Sequence, residues 1–198
     1  MKKLGAVIVM AVFISAPCSK AKAEMIWSDG FESGDFSAWT SVGGNWDTSG
    51  GNVHSGSKRA QIFGPYALDG DVLLLTQSLS GYENITLEYW ARVYDGLESN
   101  DTLFIEWSPD GSSWNTVSAY INAPASTDWH NVSLLLPATA DDNALFQFRI
   151  RSRLNNASDC IYFDDIILSG DLIPEPSSII TLAPFLFGLI LCRSKKII

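Results

Sequence analysis

Apolar and polar residues alternate in several short runs between positions 72 and 168, which is the period of a half-buried β-strand. In residues 86–93, "TLEYWARV", the alternation predicts a core-facing set of Leu87, Tyr89, Ala91 and Val93. In residues 145–151, "LFQFRIR", the predicted buried stripe is Phe146, Phe148 and Ile150. Strands with one apolar and one polar face are typical of antiparallel sheets.

Further strands are predicted at 72–75, 103–107, 132–136 and 161–168. The turn "SPDGSS" separates Trp107 from Trp114, and we expect a hairpin there because Pro109 fixes φ and Gly111 accepts a positive φ. Outside the two ends of the chain, no 3.6-residue period of apolar residues continues over a useful length. Many short strands separated by Gly, Asn, Asp and Ser predict an all-β sandwich or barrel.

Residues 1–23 have the pattern of a secretory signal peptide. Lys2 and Lys3 precede an apolar run at 4–16, and small residues follow, ending in "AKA". We expect cleavage after Ala23, because a small-residue site of this kind follows the apolar run of signal peptides. A lipid-modified Cys18 is an alternative, but the proline before it departs from the lipobox pattern.

Charge is segregated along the chain. Seven of the 13 basic residues lie near the two ends, so six remain between Glu24 and Glu175 against all 22 acidic residues, a net charge of −16. A body of this charge repels nucleic acid and anionic lipid and attracts cations. Its one cysteine, Cys160, excludes an intradomain disulfide and is predicted to be a small buried apolar residue.

Five segments of the body resemble MAM-like jelly-roll domains of bacterial surface proteins. They are "DGFESGDFSAW" (29–39), "HSGSKRA" (54–60), "LSGYENITLEYWARV" (79–93), "DTLFIEWSPDGSSW" (101–114) and "IYFDDIIL" (161–168). The paired cysteines of animal MAM domains are missing, so the chain looks like a bacterial relative. The resemblance implies a two-sheet jelly-roll β-sandwich over 24–171, with its "FE" segment beside its "DD" strand.

The resemblance also implies a structural cation between those two segments. Asp29, Glu32 and Asp165 are the expected ligands, with backbone carbonyls from residues 55–58. These are hard oxygen donors of the kind that Ca²⁺ takes in sets of six to eight. The alternative is that the carboxylates are solvated or cap turns.

The sequence predicts a non-catalytic protein. His54 and His130 lie in no spacing that binds zinc or belongs to a nucleophile motif. Paired carboxylates could serve a glycoside hydrolase, but adjacent acids such as Asp141 and Asp142 are expected without catalysis in so acidic a chain.

Tryptophans are the candidate ligand-binding residues, because exposed indole rings can stack on the C–H faces of sugars. Trp39, Trp90 and Trp107 are predicted to pack in the core or on a sheet. Near predicted loops or strand starts, the candidates for carbohydrate stacking are Trp46, Trp114 and Trp129.

The segment 172–198 combines a proline-rich spacer, an apolar run and the basic end "RSKK". The apolar run at 179–192 is about 21 Å long as a helix, short against a hydrocarbon core of about 30 Å. Pro174, Glu175 and Pro176, followed by this short transmembrane helix and a basic tip, resemble the PEP-CTERM sorting signal of Gram-negative bacteria. A plain membrane anchor is the alternative.

This second resemblance implies export, transient residence in the inner membrane and processing by an exosortase. The protein would then reach the cell surface or extracellular matrix. We therefore expect a structural or adhesive component of an exopolysaccharide or biofilm matrix. The alternative is a carbohydrate-binding module for extracellular polysaccharide, and a glycoside hydrolase is a third possibility.

Overall fold

A computed structural model describes residues 23–64 and 71–174. Within these ranges the chain forms β-strands and one 3₁₀ turn, Ala138–Ala140. The strands are β1 (Glu24–Asp29), β2 (Ser41–Val42), β3 (Trp46–Ser49), β4 (Arg59–Phe63), β5 (Asp71–Thr76), β6 (Tyr82–Asp95), β7 (Thr102–Ser108), β8 (Asn115–Ile121), β9 (His130–Leu135), β10 (Gln147–Arg153) and β11 (Cys160–Leu172).

The strands form two antiparallel sheets. The six-stranded sheet has the order β3-β4-β11-β6-β9, and β1 pairs with β11. The five-stranded sheet has the order β2-β5-β10-β7-β8. The chain crosses repeatedly from one sheet to the other, so the connectivity is jelly-roll-like. The predicted all-β sandwich is confirmed.

The core lies between the two sheets, as the alternation predicts. In β6 the predicted inward set is buried, and so are the predicted apolar residues Phe146, Phe148 and Ile150. The predicted hairpin is confirmed as well, because β7 and β8 pair antiparallel with Trp107 opposite Asn115. Each fully buried large apolar side chain stabilises the fold by roughly 1.5–3 kcal/mol. Cys160 is buried and unpaired, as predicted.

Strand β11 holds the six-stranded sheet together. It pairs along its length with β6, while its other edge pairs first with β4 and then with β1. The change of partner coincides with a bulge, where the register against β6 shifts between Asp164 and Ile167. Asp165 adopts a positive φ of 46° at this bulge, and the carboxylates of Asp164 and Asp165 both bond to His54 and Ser55.

The two ends of the sandwich lie side by side, because Glu24 at the start of β1 pairs with Gly170 in β11. This places the N-terminal segment beside the "DD" strand, as the MAM-like resemblance implies. The apolar parts of the predicted signal peptide and the apolar run at 179–192 lie outside the described residues. Among those described, no helix has the length and apolar character needed to cross a membrane.

Candidate functional site

A charged cluster lies on the outer face of the five-stranded sheet. Arg149 in β10 stands directly opposite Glu106 in β7, and its Nε lies 2.6 Å from Oε2 of that glutamate. Nη2 of Arg151 lies 3.0 Å from the other carboxylate oxygen. Their neighbours Ile105 and Ile150 face the core, so the alternation of both strands turns the charged side chains outward.

Glu106 is held ionised although it is only 4 % exposed. Burial alone would raise the pKa of this carboxyl, but hydrogen bonds from Arg151 and Arg149 lower the pKa below its usual range. Thr116 on β8 also donates to the carboxylate, at 3.4 Å. The carboxylate is therefore a fixed negative charge between two fixed positive charges.

Trp114 lies against this cluster. The guanidinium carbon of Arg149 is 3.7 Å from the centre of the indole ring, and that of Arg151 is 4.7 Å from the ring centre of Phe104. Both distances are within the range of a cation–π contact. We call Trp114, Phe104, Glu106, Arg149 and Arg151 the Trp114 face.

The turn before Trp114 is built by side-chain hydrogen bonds. Ser108 Oγ accepts from the backbone N–H of Gly111, which has a positive φ of 76°. Asp110 Oδ1 accepts from the N–H groups of Ser112 and Ser113 at 2.8 and 2.9 Å. These hydrogen bonds fix the backbone of the turn that leads into β8, so the indole of Trp114 follows an ordered turn.

The Trp114 face combines two properties that a sugar requires. Its part-exposed indole offers a flat apolar surface, and one side of that ring is covered by Arg149. The Arg149 guanidinium has five N–H donors, more than its bond to Glu106 uses, whereas the Glu106 carboxylate is buried and bonded to its arginine partners. Aromatic and polar groups fixed beside each other are typical of small-ligand sites.

Trp129 lies on the outer face of the other sheet. Its ring centre is 6.0 Å from that of His54 and 6.3 Å from that of Tyr162. His54 stacks on Trp90 at 3.7 Å, and the Arg59 guanidinium lies 3.6 Å over Tyr162. The rings of this group therefore cover one another to a large extent, which leaves less aromatic surface for a ligand.

The interpretation of Trp46 as an exposed stacking residue is wrong. Trp46 is 8 % exposed and packs against Phe36 and Phe163, with ring centres 6.4 and 6.0 Å apart. It is the first residue of β3 and pairs with Ile62, so its side chain points into the core while Asp47 points out. The three candidate tryptophans thus occupy the core and two opposite faces.

The carboxylates predicted to bind calcium are engaged by protein donors. Asp29 accepts from the N–H of Phe31 at 2.7 Å and from the indole N–H of Trp39 at 2.8 Å, and burial raises its pKa. Glu32 accepts from the backbone N–H groups of Lys58 and Ser57, which together with the Ser57 hydroxyl lower its pKa. The 55–58 loop is therefore beside Glu32, but it presents N–H groups to it.

Asp165 pairs with His54, whose Nδ1 lies 2.7 Å from Oδ2, and accepts from Ser55 Oγ at 2.8 Å. Its neighbour Asp164 accepts from the N–H of His54, and burial raises the pKa of Asp164 to about 6. Asp29, Glu32 and Asp165 do not bring their oxygens within 4.8 Å of one another in the described structure. Calcium binding by these three residues stays a prediction.

A different acidic group does come together. In the described part of the chain, Glu98, Asp101 and Asp159 form the one set of three potential metal ligands whose atoms lie within 4.8 Å of one another. Sequence reasoning missed this group, because residues 98–101 and 159 belong to loops far apart in the chain. No sequence spacing links the two loops.

Comparisons with known proteins find similarity of fold. No protein-family model matches the sequence, and no curated protein matches it. The K2 cleaved adhesin domain of Lys-gingipain is 18% identical with a TM-score of 0.54, over 72% of this chain and 98% of that domain. TmCBM61, solved in complex with β-1,4-galactotriose, is 17% identical with a TM-score of 0.54, over 72% and 94%.

A family 22 carbohydrate-binding module of Clostridium thermocellum Xyn10B is 17% identical with a TM-score of 0.53, over 76% of this chain and 96% of the module. At these identities the likeness concerns the fold. The sandwich of this chain therefore shares its architecture with an adhesin domain and with carbohydrate-binding modules.

Proposed function

We propose that the sandwich is a non-catalytic polysaccharide-binding module and that the Trp114 face is its binding surface. The observation that carries the proposal is the contact between the part-exposed Trp114 indole and Arg149, beside the buried carboxylate of Glu106. A sugar ring would stack on the uncovered side of the indole, while guanidinium N–H groups would donate to its hydroxyls.

Two of the similar structures support this proposal through what they bind. One was solved with a galactotriose, and another similar structure is a xylan-binding domain of family 22. The sheet face that carries Trp114 also differs in charge from the rest of the body. Three of its six basic residues, Arg149, Arg151 and Arg153, lie at alternate positions of β10 and so share one face of an otherwise acidic domain.

We prefer the Trp114 face to the Trp129 side for a physical reason. On the Trp129 side, His54 already stacks on Trp90, and Tyr94 stacks on Tyr162 at 4.8 Å. A ligand there would have to displace existing ring contacts. At Trp114 the stacked partner is an arginine, whose N–H groups lie next to the part-exposed ring.

Retention of the purified full-length protein on polysaccharides tests the proposal. Xylan, β-1,4-galactan and extracellular polysaccharide from the source cells would be compared in pull-down and affinity electrophoresis. The proposal expects retention on at least one of them, competed by soluble oligosaccharide of the same linkage. Absence of retention on all of them contradicts polysaccharide binding, and retention that Trp129→Ala abolishes and Trp114→Ala preserves moves the site to the other sheet.

A structural or adhesive matrix role is the second candidate function, and the similarity to an adhesin domain favours it. Both functions fit the export that the sequence predicts. Processing by an exosortase and location at the surface or in the matrix remain part of the proposal. Of the sorting motif, Pro174 is the last described residue and is exposed, and Glu175 and Pro176 lie outside the described residues.

A further inference from the structure

We propose that Glu98, Asp101 and Asp159 bind a divalent cation, Ca²⁺, where the β6–β7 and β10–β11 loops meet. One oxygen of each side chain lies within 4.8 Å of the others. Asp101 and Asp159 are both 0% exposed, whereas Glu98 is exposed. The candidate site thus consists of two buried carboxylates and one that faces solvent.

The two buried aspartates are oriented by their own loops. Asp101 Oδ2 accepts from the N–H of Glu98 at 2.9 Å, and Asp159 Oδ2 accepts from the N–H of Asn156 at 2.7 Å. Asp101 Oδ1 ties the loops together, because it accepts from the backbone and side-chain nitrogens of Asn155 at 2.9 and 2.7 Å. The two carboxylates are therefore fixed before any ion arrives.

One oxygen of this cluster has no partner. Asp159 Oδ1 is buried and accepts no hydrogen bond, while the other oxygen of the same carboxylate is used by Asn156. A buried carboxylate oxygen without a donor is unfavourable, because it has lost its bonds to water and gained none in the protein. Asp159 Oδ1 is thus the oxygen that Asp159 can offer to the cluster, and a bound cation would satisfy it.

The charge of the cluster also points to a cation. Burial raises the pKa of Asp159, and the nearby carboxylate of Asp101 raises it further. A hydrogen bond with Asp101 and the charge of Asp159 raise the pKa of Glu98. Three carboxylates held this close repel one another unless a proton or a metal ion neutralises them. A shared proton is the alternative to a bound cation, and an experiment has to distinguish the two.

The donor set selects the type of ion. All three ligands are carboxylate oxygens, without the nitrogen or sulfur that favours zinc or copper. Ca²⁺ accepts six to eight oxygens in irregular geometry, and water can complete a set of three carboxylates. Glu98 also lines an open cavity of about 480 Å³, together with Asp95, Asn122 and Ser158. The ion would enter from the Glu98 side.

The proposal is tested by isothermal titration calorimetry. The full-length protein is first freed of divalent ions with EDTA and is then titrated with Ca²⁺. Wild type should bind Ca²⁺, and Glu98→Gln should weaken that event by about tenfold or more because affinity depends on the number of charged ligands. Asp159→Asn should remove it. Asp128→Asn, an exposed change of the same charge, should leave it unchanged. Glu32→Gln should also leave this binding event unchanged, since Glu32 belongs to the separately predicted calcium site.

Thermal melting distinguishes the ion from a shared proton. If Ca²⁺ binds this cluster, it raises the Tm of wild type by more than the Tm of Asp159→Asn, because a ligand that prefers the native state stabilises it. The proposal is overturned if wild type binds no Ca²⁺ at millimolar concentration, or if Glu98→Gln binds it with wild-type affinity and stoichiometry. Glu98 is exposed, so its variant keeps the test valid should Asp159→Asn fail to fold.

Discussion

The guanidinium of Arg149 lies 3.7 Å above the indole of Trp114 and at the same time bonds to Glu106 at 2.6 Å. One side chain thus links an aromatic ring in a turn to a buried charge in the sheet. Because Arg149 is fixed by its carboxylate partner, the indole has a defined orientation before any ligand binds. Preorganisation of this kind reduces the entropy lost on binding.

Trp114→Ala should abolish most polysaccharide binding. Truncating an aromatic anchor at the centre of a binding face costs about 2 kcal/mol, which is roughly thirtyfold in Kd. The free energy of unfolding should change by less than about 1.5 kcal/mol, since the indole is part-exposed. Affinity electrophoresis and urea denaturation measure the two quantities. Trp129→Ala is the matched control, and equal affinity of wild type and Trp114→Ala would remove Trp114 from the site.

Glu106→Gln should destabilise the sandwich by about 1–3 kcal/mol, because it leaves two arginines facing a neutral amide. The expected loss is below that for a fully buried ion pair, since Arg149 and Arg151 are 20% and 24% exposed. Glu88→Gln is a matched control on the other sheet, where the carboxylate bonds to Asn131. Urea denaturation measures both variants. Equal stability of Glu106→Gln and Glu88→Gln would show that the ion pairs between Glu106 and the two arginines do not stabilise the fold.

Protonation of Glu106 should make part of the stability pH-dependent. Its pKa in the folded protein is lowered, so its contribution is fully present above the unfolded pKa of about 4.3 and is lost as the pH falls through the lower folded value. The difference in unfolding free energy between wild type and Glu106→Gln should therefore be constant from pH 7 to about pH 5 and shrink below about pH 4. A difference that grows on acidification contradicts the lowered pKa.

Trp46→Ala should destabilise the protein by about 3–5 kcal/mol, as expected for truncating a large aromatic side chain in a core. The physical reason is the cavity left between Phe36 and Phe163, which flank the indole. Urea denaturation with Trp129→Ala as a part-exposed control measures the difference. A loss as small as that of the control would mean that Trp46 is not a core residue.

Mass spectrometry of the exported protein should show two processed ends. We expect an N-terminus at Glu24 and a C-terminus upstream of Ile179, because the resemblance to sorting signals implies removal of the helix at 179–192. Replacing Pro174, Glu175 and Pro176 by alanines should leave the tail attached. Recovery of wild type intact to Ile198 from the cell surface would contradict the sorting signal and favour a retained anchor.

The alternation of apolar and polar residues predicted those strands that have one face in the core and the other on the outside of the sandwich. Strands β6 and β10 alternate between core and outer face along most of their length, so their periodicity was visible in the sequence. Strand β8 has no fully buried residue, and it was predicted from the turn before it, because a hairpin places β8 beside β7. Strands β1 to β4 are short or lack a clear period, and the sequence did not reveal them as strands.

Candidate site residues were harder to predict than the strands. Trp46 follows "SVGGN", a stretch typical of a loop, and only its pairing with Ile62 turns it inward. Trp114 is part-exposed, but its partner Arg149 was not identified, because Arg149 lies on β10 and only the pairing of β10 with β7 brings it near the turn. The cluster of Glu98, Asp101 and Asp159 depends on two loops meeting, which only the three-dimensional fold determines.

The pairing of Glu24 with Gly170 has a practical consequence. The start of β1 and the end of β11 lie at the same end of the six-stranded sheet, so an attachment at either one would hold the domain in nearly the same orientation. Closely spaced ends are also a property of domains that tolerate insertion into a host protein. The sandwich could therefore be displayed within a loop of another protein, with the strands of both sheets continuous and both outer faces uncovered.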